Sequence, residues 1–324
     1  MRARWARLAS GLVVVLAVGA LAGWRLDSPA ATQTVKGPPP ATRTTHAPRM
    51  KAVAPSPIGA AGLASIKASP KPTHATATPT HSAASSDLPP ELTGSGWHLA
   101  FDGEFGGSSL NTAQWDTCYP GDDQSCCTNH GNANEYEWYV PGQVSVGGGT
   151  LNLTASREPT EGTDANGQPE QYSCRSGMVT TGGSFNFQYG YVQVEARLPI
   201  STGLWPALWL NPSNGQWPPE IDLMEHWTTY DYYGAYLHSS AGPIVENDHV
   251  DLPDPDGWHT FSVLWEPGKI VWYLDGQEIL STTQYVPQQA MYFIANVAES
   301  TQPTSSSGCD GTMQISSVKI WQQK

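Results

Sequence analysis

The sequence predicts an all-β fold, an antiparallel sandwich or jelly roll, and three observations point to it. Glycine and proline supply 59 of the 324 residues while only 14% are charged, a turn-rich composition that disfavours long helices and coiled coils. Short runs alternate apolar and polar residues with turn signals between them, the pattern of half-buried strands. No segment carries an apolar period of 3.6 residues over three turns, so packed sheets are the economical way to bury the apolar faces.

The chain opens with Arg2, Arg4 and Arg7, then an apolar run from Ala9 to Trp24 and small residues at Ser28-Pro29-Ala30-Ala31, the order of an export signal with its cleavage site. The run falls short of the ~20 residues of a membrane span. Residues 1–31 therefore read as a signal peptide, with an uncleaved anchor as the alternative, and the protein is expected outside the cell. Residues 32–88 are mostly Ala, Pro, Thr, Ser and Lys, with Pro-Thr-His at 72–74 and again at 79–81. Such a stretch buries too little apolar surface to offset its ordering entropy, so a disordered linker is expected. No Phe, Trp or Tyr occurs between Trp24 and Trp97, whereas all 13 Tyr and 11 of the 13 Trp lie from Trp97 onward. One folded domain over 89–324 follows.

Charge divides at the same boundary. Residues 1–88 hold ten Lys and Arg against two acids, leaving the domain with six basic and 27 acidic residues, a net of −21. That balance disfavours nucleic acid and anionic lipid as partners, because phosphate recognition needs clustered Lys and Arg. A monomer is expected. The five cysteines, Cys118, Cys126, Cys127, Cys174 and Cys309, all fall in the domain, where an oxidising compartment lets up to two disulfides form. Their spacing lacks a paired Cys-x-x-Cys zinc pattern, and the pairing is left open.

Within the domain, Val144-Ser145-Val146, three glycines and Leu151-Asn152-Leu153-Thr154 predict a hairpin. In Tyr191 to Leu198, the residues Val192, Val194, Ala196 and Leu198 fall on one face of a strand. Ile270 to Leu274 and Gln277 to Leu280 flank Asp275-Gly276, and Asp-Gly supplies the positive φ angles of a two-residue turn.

The chemistry concentrates in Glu220-Ile221-Asp222-Leu223-Met224-Glu225. On a regular strand Glu220 and Asp222 share a face while Glu225 points away. A β-bulge at Leu223-Met224 would return Glu225 to the same face, and bulges are over-represented beside active sites. Acids are depleted in strands and like charges on one face repel. A solvated strand edge is the bland alternative, but Trp205, Trp209 and Trp217 stand close upstream, and an enzymatic carboxylate pair is the better account.

The six-residue acid segment resembles the signature of glycoside hydrolase family 16, in its bulged, laminarinase-like form. So do Phe101-Asp102-Gly103-Glu104-Phe105, the segment Asn134-Glu135-Tyr136-Glu137-Trp138-Tyr139 (Asn-Glu-Leu-Gln-Tyr-Tyr in the family), Gly203 to Trp209, His259 to Gly276 and the closing strand through Trp321. The resemblance covers roughly residues 92–324 and implies a concanavalin-like β-jelly roll with a concave carbohydrate cleft. It implies that Glu220 is the nucleophile, Glu225 the acid/base, and Asp222 a partner tuning the nucleophile. The charges of Glu220 and Asp222 would keep Glu225 protonated, and that mechanism uses no cofactor.

By the same resemblance Trp205 and Trp209, with Trp138, are candidate sugar platforms, each with a core role as the alternative. Glu135 and Asn134 are candidate ligands of sugar hydroxyls, and His238 matches a family histidine near the acid/base. Three positions depart from the family. Ser316 stands where relatives carry an Asp that helps bind calcium, so calcium is doubtful. Asn296 to Ser300 replaces an Asn-Leu-Ala-Gly-Gly type of run, and Met178 stands where Arg is frequent. The expected function is a secreted, endo-acting retaining hydrolase of neutral β-glucan, cutting β-1,3 or mixed β-1,3/1,4 linkages. A galactan hydrolase and a non-catalytic glucan-binding module are the alternatives; the module would lack the glutamates.

Overall fold

The computed structural model describes residues 88–120, 135–164, 166–226, 232–300 and 308–324. The expected signal peptide and, apart from Leu88, the expected linker lie outside the described residues. Strands dominate, and Pro141–Gln143, a single 3-10 turn, is the one helical element among the described residues.

Two large sheets form the sandwich. The eight-stranded sheet runs Gln277–Thr282, Lys269–Leu274, Trp258–Glu266, Gly190–Arg197, Gly311–Gln323, Thr150–Ala155 and Val144–Gly147, and the first strand, Trp97–Glu104, pairs with the last. The six-stranded sheet runs Val245–Asp251, Tyr232–His238, Glu220–Glu225, Leu204–Pro212, Met291–Glu299 and Met178–Thr180. Joining strands distant in sequence within each sheet is the mark of a jelly roll rather than a meander.

The expected local patterns are in place. Val144–Gly147 pairs with Thr150–Ala155 around Gly148 and Gly149, both with positive φ. Lys269–Leu274 pairs with Gln277–Thr282 around Asp275 (φ 49°) and Gly276 (φ 77°), the left-handed pair that a tight hairpin needs. Val192, Val194, Ala196 and Leu198 are buried between the sheets with Leu208, Ile221, Phe293 and Val297 from the facing side. The opposite face of Gly190–Arg197 is also covered, because Tyr191 packs with Trp321 and Leu92 in a small outer cluster.

One feature differs from the simplest expectation. The sandwich is not wholly antiparallel: Glu137–Tyr139 and Cys174–Ser176 form a separate parallel pair. A disulfide joins Cys174 to Cys309 across 135 residues of sequence, and Cys118 is disulfide-bonded as well.

Candidate active site

The acid segment is a strand, Glu220–Glu225, between Leu204–Pro212 and Tyr232–His238. Its register contains the bulge. Glu220 stands opposite His238, Asp222 opposite Tyr236 and Glu225 opposite Gly234, so three steps on one strand meet two on its neighbour. On the other side Asp222 faces Trp209 and Met224 faces Leu208, leaving Leu223 as the extra residue. Ile221, Leu223 and Met224 are buried in the core, and the acids turn to the other face. The bulge is anchored through the core: Trp272, on the eight-stranded sheet, donates its indole N–H to the backbone oxygen of Asp222 at 2.9 Å.

Glu220, Asp222 and Glu225 line one pocket with Glu135, Trp205, Ala207, Trp209, Asn296 and Ala298. Trp205 Nε1 donates to Glu225 Oε1 at 3.0 Å. Trp217 Nε1 donates to Glu220 Oε2 at 3.1 Å, and His238 Nε2 lies 3.1 Å from Asp222 Oδ2 and 3.6 Å from Glu220 Oε1. A second chain of bonds forms the adjoining wall. Trp209 Nε1 donates to Asn296 Oδ1 (2.8 Å), Asn296 Nδ2 donates to the Tyr139 hydroxyl (2.9 Å), and that hydroxyl points at Glu135 Oε2 (3.4 Å).

Burial pushes Glu225 well above the usual carboxylate range, and the charges of Asp222 and Glu220 add to it, while His238 and the Trp205 bond oppose it. The sequence pointed to the neighbouring charges as the cause; the larger cause is exclusion of water, which composition does not reveal. Asp222 is also pushed well up, by burial and then by Glu220. Glu220 is raised by burial, with His238 and the Trp217 bond pulling it back. Both glutamates receive an indole N–H and the opposing influence of His238, but Glu225 also bears the charges of Asp222 and Glu220 and is therefore pushed further up than Glu220.

Trp205 and Trp209 line the pocket and are nonetheless largely buried, at 8% and 9% exposure, so they act as wall and core at once. Trp138 does not: it is 4% exposed, its ring lies 4.9 Å from that of Tyr172, and a Cβ on Gly162 would sit 2.6 Å from it. The expectation of a sugar platform there is corrected, because both packing partners cover the indole. His238 stands opposite Glu220 in the strand register, beside Asp222, and its influence reaches Glu225 as well. Glu135 reaches the pocket; Asn134 lies outside the described residues. Met178 is fully buried among Cys118, Tyr139 and Trp209, an apolar filling. Two further residues join the site, Trp217, 62% exposed and bonded to Glu220, and Asn296 in the pocket wall. Proximity of Trp217 to Glu220 in sequence was the signal for the first, whereas Asn296 was noted only as a departure from the family run.

Ser316 is buried and its hydroxyl donates to Glu195 Oε2.

A two-sheet jelly roll with recessed carboxyls on its open face defines the class of glycosidase-type jelly rolls. Residues 132–319 match the sequence model of glycosyl hydrolases family 16, and the chain belongs to that family. It is 35% identical over 178 residues to an endo-1,3-1,4-beta-glycanase of Rhizobium meliloti, covering 51% of this chain and 37% of the relative. A second endo-1,3-1,4-beta-glycanase of that organism is 33% identical, covering 57% of this chain and 42% of the relative. The chain thus spans about two-fifths of the length of these curated relatives. The catalytic domain of an endo-1,3-beta-glucanase (laminarinase) from Thermotoga petrophila superposes with a TM-score of 0.59 at 26% identity, covering 70% of this chain and 98% of that one.

Proposed function

We propose that this domain is an endo-acting, retaining hydrolase of neutral β-glucan, cutting β-1,3 or mixed β-1,3/1,4 glucosidic linkages. The observation that carries the reading is the bulge at Leu223, which puts Glu220 and Glu225 on one open face of one strand. The activities of the relatives, endo-1,3-1,4-beta-glycanase and endo-1,3-beta-glucanase, favour glucan over galactan. The presence of all three acids favours an enzyme over a binding module.

In this mechanism Glu220 attacks the anomeric carbon while Glu225 gives its proton to the departing glycosidic oxygen, leaving a glycosyl ester on Glu220. Glu225, now ionised, takes a proton from water, whose oxygen attacks the same carbon and expels Glu220. Trp217 and His238 support the Glu220 anion between turnovers, and Trp205 holds Glu225 in line with the leaving oxygen. No step draws on a metal or organic cofactor. The acidic domain favours a neutral chain over a sulfated one, and the N-terminal apolar run together with the Cys174–Cys309 bridge supports export of the enzyme.

The test is hydrolysis of a soluble β-1,3-glucan by Glu220→Gln and Glu225→Gln, each keeping shape while losing nucleophilicity or proton donation. Both should lose at least a hundredfold in kcat with an unchanged circular dichroism spectrum. Proton NMR in the first minutes should show the new reducing end as the β-anomer; first appearance of the α-anomer would contradict the role of Glu220.

A further inference from the structure

The pocket lies on one side of the acid strand only. Besides the acids and Glu135, it is lined by residues of Leu204–Pro212 and Met291–Glu299. An endo-acting enzyme holds sugars on both sides of the bond it cuts, so a second surface is needed, and the other neighbour of the acid strand, Tyr232–His238, offers one. On that strand Tyr233, Ala235 and Leu237 point into the core, and Tyr232, Gly234, Tyr236 and His238 therefore face the open side.

Gly234 leaves a gap on that side, and the phenol of Tyr236 lies down into it: a Cβ on Gly234 would overlap Tyr236 Oη, Cζ and Cε2. The strand register sets Tyr236 opposite Asp222 and Gly234 opposite Glu225. The phenol thus leans from the level of Asp222 to that of Glu225, which places its hydroxyl at the acid/base end of the site rather than at Glu220, the residue opposite His238. That hydroxyl is left for a ligand. No donor or acceptor among the described residues is bonded to it, although a half-buried phenol ordinarily finds a partner. Burial, then the charges of Glu225, Asp248, Glu246 and Asp222, push the phenol up to about 12, so it keeps its proton at neutral pH and can donate.

We propose that Tyr236 is a specificity-determining residue for the departing sugar, donating its O–H to one of that sugar's hydroxyls. Glu225 protonates the glycosidic oxygen, and the departing sugar hangs from that oxygen. A donor at the level of Glu225 therefore meets that sugar and not the one that Glu220 attacks. Gly234 is the companion position, because any side chain there would take the place of the phenol. The inference rests on the glucanase reading.

The test compares two substrates that differ in what departs. One is a β-1,3-linked oligoglucoside, which loses a sugar; the other is the 4-nitrophenyl glycoside of a β-1,3-linked glucobiose, which loses a nitrophenol with no hydroxyl placed to receive the bond. In Tyr236→Phe the ratio of kcat/KM for the oligoglucoside to kcat/KM for the aryl glycoside should fall on the order of tenfold, the worth of about one hydrogen bond. Phe still fills the gap over Gly234, so a merely space-filling Tyr236 would leave the ratio unchanged. Gly234→Ala, whose methyl group displaces only the far end of a side chain, should turn the phenol out and lower the ratio at least as far; Tyr236→Phe decides alone if Gly234→Ala does not fold. A Tyr236→Phe ratio within about twofold of wild type would overturn the proposal and leave the glucanase reading standing. A wild type that cuts neither substrate would overturn the glucanase reading and this inference with it.

Discussion

Replacing Trp272 with Phe tests whether the bulge is held from across the core. Trp272 is fully buried, and its N–H is the donor that reaches the backbone oxygen of Asp222. Phe removes the donor and leaves a buried carbonyl unsatisfied, at about 1–3 kcal/mol. The smaller ring adds a cavity at about 1 kcal/mol. A total of about 3 kcal/mol, at about 3 °C per kcal/mol for a domain of this size, lowers Tm by about 9 °C. The control is Trp265→Phe, because Trp265 is equally buried and also donates to a backbone oxygen, that of Pro287 at 3.1 Å, away from the acids. Calorimetry at one pH should find similar losses of Tm for both variants. Only Trp272→Phe should lower kcat, on the order of tenfold, since only there does the backbone between Glu220 and Glu225 lose its anchor. Equal kcat in the two variants, or a Tm within 2 °C of wild type for Trp272→Phe at the precision of ~1 kcal/mol, would refute the idea that the outer sheet fixes the bulge.

His238 opposes the upward shifts of both Glu220 and Glu225, so His238→Gln should move both limbs of the pH–kcat curve to higher pH. The alkaline limb moves because Glu225 keeps its proton longer, the acid limb because Glu220 ionises later; a curve that stays in place would contradict this. Removing the Cys174–Cys309 bridge by Cys174→Ala with Cys309→Ala should cost about 5 kcal/mol on the chain-entropy account of its 135-residue span, read by urea denaturation, and a cost under about 1 kcal/mol would show that the bridge constrains little. A chain beginning at residue 89 should keep the activity of the full protein on soluble glucan, because a solvated linker adds no core contact; loss of folding would move the domain boundary.

The bulge was legible because strand parity is strict: Glu220, Asp222 and Glu225 cannot share a face without one extra residue. The Asp275-Gly276 turn and the Val192–Leu198 face were legible for the same kind of local reason. The place of Trp138 was not, since a three-residue strand in a parallel pair of its own leaves no alternation from which to read its face. Nor was the cause of the Glu225 shift, because sequence shows which charges are near in the chain but not which groups lose their water. The bond from Trp272 to Asp222 joins residues 50 apart in sequence on opposite sheets, and no spacing rule reaches that far. The partner of Cys174 stayed open for the same reason.

Both carboxyls to which we assign the reaction belong to a strand of six residues, while the wall beside them is assembled from Glu135, Trp209 and Asn296, contributed by three other stretches of chain. The spacing that decides the stereochemistry is consequently a short-range property, carried by one peptide and its two neighbours. On the proposed reading the choice of polymer is a longer-range one: Trp209 sits on a strand that also braces the acids, but Glu135 and Asn296 come from segments outside those three strands. A scaffold of this kind can be retargeted by grafting wall segments without re-engineering the reaction, and libraries directed at new linkages should leave positions 220–225 and Trp272 untouched.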